Sequence, residues 1–228
     1  MKWATELVFA LEKGKPIEEI SKEWHSKQYN ELLTLAYFED QEIGWHDDGE
    51  RGLGPTIATL SLGCTGSMKV RMKALVHNGA SATGVYDHKH KPIPGCSKYE
   101  ERLAAHDTIV QNAPAKYARD YYKDCAKNLG LKGGHAPKHL LDLTLGHGDI
   151  VIMYGHILQQ YFDHGVEHEG LLRAAMTCRY IDPDSIPAGV MNYTVEPDKI
   201  GYDGTKLPVP RDNTGNPIGD TFGVWKKE

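Results

Sequence analysis

Along residues 67–76, Met68, Val70, Met72 and Ala74 alternate with Lys69, Arg71 and Lys73. Successive side chains of a strand point to opposite faces, so this period of two predicts a half-buried strand with one wet, basic face. Residues 55–63, PTIATLSLG, read as a strand just before it. Further upstream, Ile17, Ile20 and Trp24 fall at helical spacing behind Pro16, which predicts a helix over 16–28. LLTLAY, residues 32–37, fits either a strand or the end of a helix. Residues 79–98, rich in Gly, Pro, His and Lys, predict a long loop, and residues 99–129 predict helix with a break at Pro114. Strand character returns at DIVIMY, residues 149–154, and at LLRAAMTCRYI, residues 171–181. From Pro183 on, Pro, Gly and Asp predict irregular structure. Strands with helices before and between them imply a mainly β fold with helical decoration, a sandwich or jelly roll.

Composition narrows the setting. The 228 residues are 40 % hydrophobic, enough for a sizeable core and most simply one domain. No apolar run approaches the length of a membrane span, so no membrane partner is expected. MKWATELVFALEKGK carries Glu6 inside a short apolar run and offers no small-residue cleavage site, which argues against a secretory signal. Cys64, Cys96, Cys125 and Cys178 show neither CxxC spacing nor a disulfide framework. A reducing intracellular setting, nucleus or cytoplasm, is therefore expected. The net charge of −5 argues against broad adhesion to nucleic acid and leaves a local basic patch open.

The chemistry concentrates in two places. Ile43–Trp45 runs into His46, Asp47, Asp48 and Glu50, a gathering that packing alone does not require. His46 and Asp48 are two apart, so on a strand they share a face about 7 Å apart, suited to two ligands of one metal. A third ligand must come from elsewhere, and His164 or His168 follows the apolar strand region. Two histidines and one carboxylate, with open positions opposite, form the facial triad of non-haem Fe(II) oxygenases. Downstream, Arg173 and Arg179 are six apart and on a strand share a face with Ala175 and Thr177. An inward-facing arginine on a core strand is costly unless an anion pairs with it, and a dicarboxylate would be such an anion. Structural salt bridges or an outward-facing row would also explain the pair.

HDDGE, GPTIATLSLG, LGHGDIVIMYG, YFDHGV and LLRAAMTCRYI occur in the order and near the spacing of the AlkB-like 2-oxoglutarate/Fe(II) dioxygenases, and over residues 30–182 the chain resembles that family. The resemblance implies a double-stranded β-helix (jelly-roll) core, and a single domain over 1–228 with an insertion at about 79–140 and an irregular extension at about 183–228. It implies Fe(II) on His46, Asp48 and His164, with 2-oxoglutarate and O₂ as cosubstrates. Arg173 and Arg179 match the arginines that hold the two ends of 2-oxoglutarate, and Tyr37 matches a tyrosine on the cosubstrate. Glu50 matches an acidic residue that approaches the substrate base. The chain departs from the pattern at Leu35, where the family commonly has Asn, and at Ala175, where some members have a second Asn. Only 45 residues precede His46, too few for the family's full nucleotide-recognition lid.

The expected activity is oxidative demethylation of an alkylated nucleobase, in single-stranded or damaged DNA or RNA, with Lys69, Arg71 and Lys73 as phosphate contacts. The same chemistry on a protein side chain or small molecule is the alternative, and a non-catalytic binding module with the same fold is a further one. Asp47 and Glu42 are read as solvated and His147 as structural. His88, His90, His135 and His139 are read as solvated loop histidines.

Overall fold

Eight strands and six helices follow one another in the computed structural model, which describes residues 1–24, 28–39 and 41–185. Two helices open the chain, α1 (Lys2–Lys13) and α2 (Ile17–Trp24), followed by β1 (Glu31–Phe38), β2 (Ile43–His46), β3 (Leu53–Gly63) and β4 (Gly66–Met72). Three helices then intervene, α3 (Ala74–Asn78), α4 (Tyr99–Asn112) and α5 (Ala118–Asn128). The chain returns through β5 (Leu141–Leu145), β6 (Ile150–Tyr154), α6 (His156–Tyr161), β7 (Phe162–His168) and β8 (Leu172–Ile181). All the described residues belong to one unit, Met1–Ile186. The predicted irregular extension lies outside the described residues apart from a single 3₁₀ turn at Pro183–Ser185.

The strands form two four-stranded antiparallel sheets, ordered β1-β8-β3-β6 and β2-β7-β4-β5. Consecutive strands switch sheet at every step except β4 to β5, so residues distant in sequence meet across a narrow interior. Strand β8 is central to the first sheet and explains its inward face. Arg173, Ala175 and Arg179 are buried at every second or fourth position, while Leu172 on the opposite face is exposed. On β6, Val151 and Met153 face the interior, which turns Tyr154 outward. There Phe9 of α1 packs on Tyr154 at 4.8 Å and edge-on to Trp24 at 6.1 Å, seating the two N-terminal helices on the back of the sheet. A second cluster, Met72, Val76, Cys96 and Tyr161, fastens the long excursion after β4 to the strand it leaves.

Three expectations are corrected here. The strand predicted over 67–76 stops at Met72, and Ala74–Asn78 is helical. The alternation cannot see this turn, because Val76 is buried by a helical step into the same cluster as Met72. His46 and Asp48 do not share a strand: β2 ends at His46, and Asp48 and Glu50 lie on the loop beyond it. His164 does not end a strand but sits within β7, which carries too few apolar residues to announce itself by periodicity.

Where β3 ends, Gly63 has φ +89°, and an added Cβ would lie 2.4 Å from the carbonyl oxygen of Leu172. The backbones of β3 and β8 can approach this closely only without a side chain. Gly63→Ala is therefore expected to destabilise the fold by about 1–3 kcal/mol, read as a lower urea midpoint with an unchanged slope.

Candidate active site

Between the two sheets lies a cavity of about 70 Å³ with contributions from both. At one end, His46 of β2 stands opposite His164 of β7 in register, their rings 4.3 Å apart. Asp48 reaches in from the loop, with Oδ1 3.8 Å from His46 Nε2 and Oδ2 3.5 Å from His164 Nε2. One donor atom from each of the three lies within 4.8 Å of the others, and no other such cluster of three occurs among the described residues. The separation suits donors around a cation rather than donors bonded to each other. His46 Nδ1 lies 2.7 Å from the Gly44 carbonyl, which makes Nδ1 the protonated nitrogen and turns the Nε2 lone pair to the cluster. Burial holds the His164 imidazole below its ordinary pKa, opposed by the Asp48 carboxylate, so it is neutral and able to ligate at neutral pH. The residues fit a divalent iron with coordination positions left open. His168, the rival third ligand, is elsewhere, its Nδ1 3.2 Å from Cys64 Sγ.

Arg173 lines the same cavity, and at 2 % exposure it is the largest fully buried side chain. Its Nη2 donates to Ser61 Oγ at 2.7 Å, and its guanidinium lies 5.8 Å from the ring of Tyr37, its cross-strand partner. The backbone of Gly66 closes the other side, where an added Cβ would be 2.9 Å from Nε. Nε is buried without a partner, and no carboxylate among the described residues pairs with this cation. Burial pushes the guanidinium below its ordinary pKa, and the Tyr37 phenol is pushed up, again by burial, with Arg173 opposing. A buried cation that lines a cavity and has no carboxylate partner among the described residues suits an anion.

Arg179 shares the inward face of β8, but its guanidinium is engaged: Nε donates to Glu31 at 2.6 Å and Nη1 to Glu50 at 2.7 Å. Glu50 therefore turns to Arg179 at the end of β8 rather than continuing a strand beside Asp48. Leu35 and Ala175 are cross-strand partners, both lining the cavity, so a large and a small apolar group together form part of its wall.

The basic row along β4 is already partnered. Lys69 binds Glu167 at 2.6 Å, Arg71 lies 4.0 Å over the ring of Trp45, and Lys73 pairs with Asp47. Asp47 is thus not a free solvated group. Despite partial burial, the Lys73 ammonium and the Gly49 N–H hold its carboxyl below the ordinary value. Two of the loop histidines also depart from the solvated reading. His90 binds Asp87 at 2.9 Å and packs edge-on against Tyr161 at 5.3 Å. His88 Nδ1 lies within 3.4 Å of the Tyr86 carbonyl. His147, as expected, is structural, its Nδ1 accepting from the Gly63 N–H at 3.0 Å. Ser61 is the polar site residue that sequence reasoning missed; it follows from parity, since it stands on the inward face of β3 beside Arg173.

No curated protein matches the chain. The model of the 2OG-Fe(II) oxygenase superfamily matches residues 7–179, from α1 to the last turn of β8, and so spans both ends of the cavity. The chain belongs to that superfamily, whose members use Fe(II), 2-oxoglutarate and O₂, and is a 2-oxoglutarate/Fe(II)-dependent dioxygenase.

Proposed function

We propose that His46, Asp48 and His164 hold the iron and that Arg173, assisted by Ser61 and Tyr37, anchors the far carboxylate of 2-oxoglutarate. The observation that carries this reading is the pairing, within one cavity, of an open three-donor cluster with a buried guanidinium that has no internal counter-ion. The sheet-switching strand order and the inward placement of both groups support a double-stranded β-helix core and a single AlkB-like domain. Four free cysteines support an intracellular setting. When bound, the iron and its cosubstrate supply the oxidation, in which 2-oxoglutarate is decarboxylated to succinate while one oxygen atom of O₂ enters a substrate C–H bond. The protein orients the oxo-acid through Arg173, excludes water with the apolar walls at Leu35 and Ala175, and presents a carboxylate at the rim. In this arrangement Arg179 works at the rim rather than on the far carboxylate, since Glu31 and Glu50 occupy it.

For the substrate, we infer an N-methyl group on an alkylated nucleobase. This reading is supported by Glu50, whose half-exposed carboxylate, held by Arg179, suits a base amine or the positive charge of an alkylated ring. Hydroxylation of the methyl carbon leaves an unstable hemiaminal that loses formaldehyde. The base must leave its stack, which costs least in a single strand. A second reading, a methylated protein side chain or small molecule, is favoured by the basic residues on and just after β4: Lys69 and Lys73 are ion-paired and Arg71 is stacked on Trp45, so two of the three charges are already met.

Arg173→Ala removes the one buried cation of the cavity and is expected to raise the apparent 2-oxoglutarate requirement at least tenfold, roughly the loss of a charge-assisted bidentate contact. A saturation curve matching wild type removes Arg173 from the cosubstrate site. For the substrate, succinate and formaldehyde are measured with methylated single-stranded oligonucleotides, methylated peptides and methylated metabolites. Stimulation by an oligonucleotide, weakened by salt, is the expected outcome. Formaldehyde from a peptide or metabolite alone replaces it with the second reading.

A further inference from the structure

Asp48 lies beyond the end of β2, so no ladder hydrogen bond fixes the direction in which it points. His46 and His164 need no such help, since they oppose each other in register across β2 and β7. Something outside the sheet must order the loop if the carboxylate is to meet the two imidazoles.

The geometry points to Gln159 and Lys73 as positioning residues that clamp this loop, a reading that rests on the triad as the iron site. Gln159 Oε1 accepts the backbone N–H of Asp48 at 3.0 Å, across 111 residues of sequence. The Lys73 ammonium donates to the Gln159 carbonyl oxygen at 2.6 Å and also to the Asp47 carboxylate. The other Asp47 oxygen accepts the Gly49 N–H at 2.8 Å. Residues 47, 48 and 49 are thus each tied in succession, and two of the three ties lead to Lys73 or Gln159.

The anchors suit the purpose. Gln159 belongs to α6, which runs without a break into β7 and its His164. Lys73 follows β4, the neighbour of β7, and its own N–H donates to the Tyr161 carbonyl at 2.9 Å, at the junction of α6 and β7. The loop ligand is therefore referenced to the same short stretch of chain as the third ligand. Gln159 and Lys73 hold the Asp48 backbone and the Asp47 carboxylate rather than the three donor atoms. Their contribution is to order a loop before the cation arrives, so that less conformational entropy is lost on binding. Partners that orient metal ligands in this way typically change metal affinity by about 10–100-fold when removed.

The test is a titration of the full-length metal-free protein with Co(II) alone, followed by calorimetry, beside thermal unfolding of the metal-free form. Gln159→Ala is expected to weaken Co(II) binding about tenfold or more while moving the unfolding temperature of the metal-free protein little. Gln159→Glu keeps an acceptor oxygen for the Asp48 N–H and is expected to recover most of the affinity. Co(II) affinity unchanged in Gln159→Ala overturns the clamp, as does a loss that tracks reduced stability and is not recovered by Gln159→Glu. His46→Ala separates the two levels of the argument. If it abolishes Co(II) binding while Gln159→Ala does nothing, the clamp alone fails. If His46→Ala also binds Co(II) normally, the iron site and the clamp fail together.

Discussion

Everything around this cavity has to accommodate a guanidinium buried between two sheets with no carboxylate among the described residues to meet it. Taking such a cation out of water costs several kcal/mol even after relaxation. Ser61 supplies one acceptor and the Tyr37 ring a face, but Nε of Arg173 has no partner. Arg179, on the same face of the same strand, has two carboxylates and shows what internal compensation looks like. Arg173, by contrast, has no carboxylate partner among the described residues and lines an open cavity. In the proposed reading the far carboxylate of 2-oxoglutarate meets this cation, and the stability forgone by burying it is recovered as affinity for the cosubstrate.

The remaining architecture serves to hold this cation and a three-donor cluster at fixed places in one cavity. Strands that switch sheet at nearly every step bring β2 and β7 onto one wall and β1 and β8 onto the other. Cross-strand register then does the fine placement, setting His46 against His164 and Tyr37 against Arg173. Only Asp48 and Glu50 escape the ladders, and each is held by a side chain distant in sequence, Gln159 for the first and Arg179 for the second. Leu35 and Ala175, paired across β1 and β8, close the cavity wall with one large and one small apolar group.

The inner face of β8 was legible because its even spacing puts Arg173 and Arg179 on one side with small residues between them. The three donors were legible as an ordered set of residue types, but not as geometry. A period-two argument placed Asp48 on a strand that ends before it, since nothing local in HDDGE distinguishes a strand from the loop after one. β7 was missed because its polar sequence buries little and is held by pairing on both sides rather than by an apolar face. Ion pairs were the least legible feature. The carboxylates that pair with Lys69 and Lys73 lie 98 and 26 residues away, and the Trp45 ring under Arg71 also lies 26 away; no window of sequence shows that a basic row is already engaged.

The central claim is that the iron and 2-oxoglutarate share this cavity, one at the His46–Asp48–His164 end and the other reaching Arg173. Anaerobic titration of the metal-free protein with Fe(II) and 2-oxoglutarate, followed by visible absorption, tests it most directly, because chelation of Fe(II) by the oxo-acid produces a charge-transfer band that neither component gives alone. The band is expected in the wild-type protein, absent in His164→Ala, and present in Arg173→Ala only at much higher 2-oxoglutarate. A band of full intensity and unchanged midpoint in both variants would contradict it.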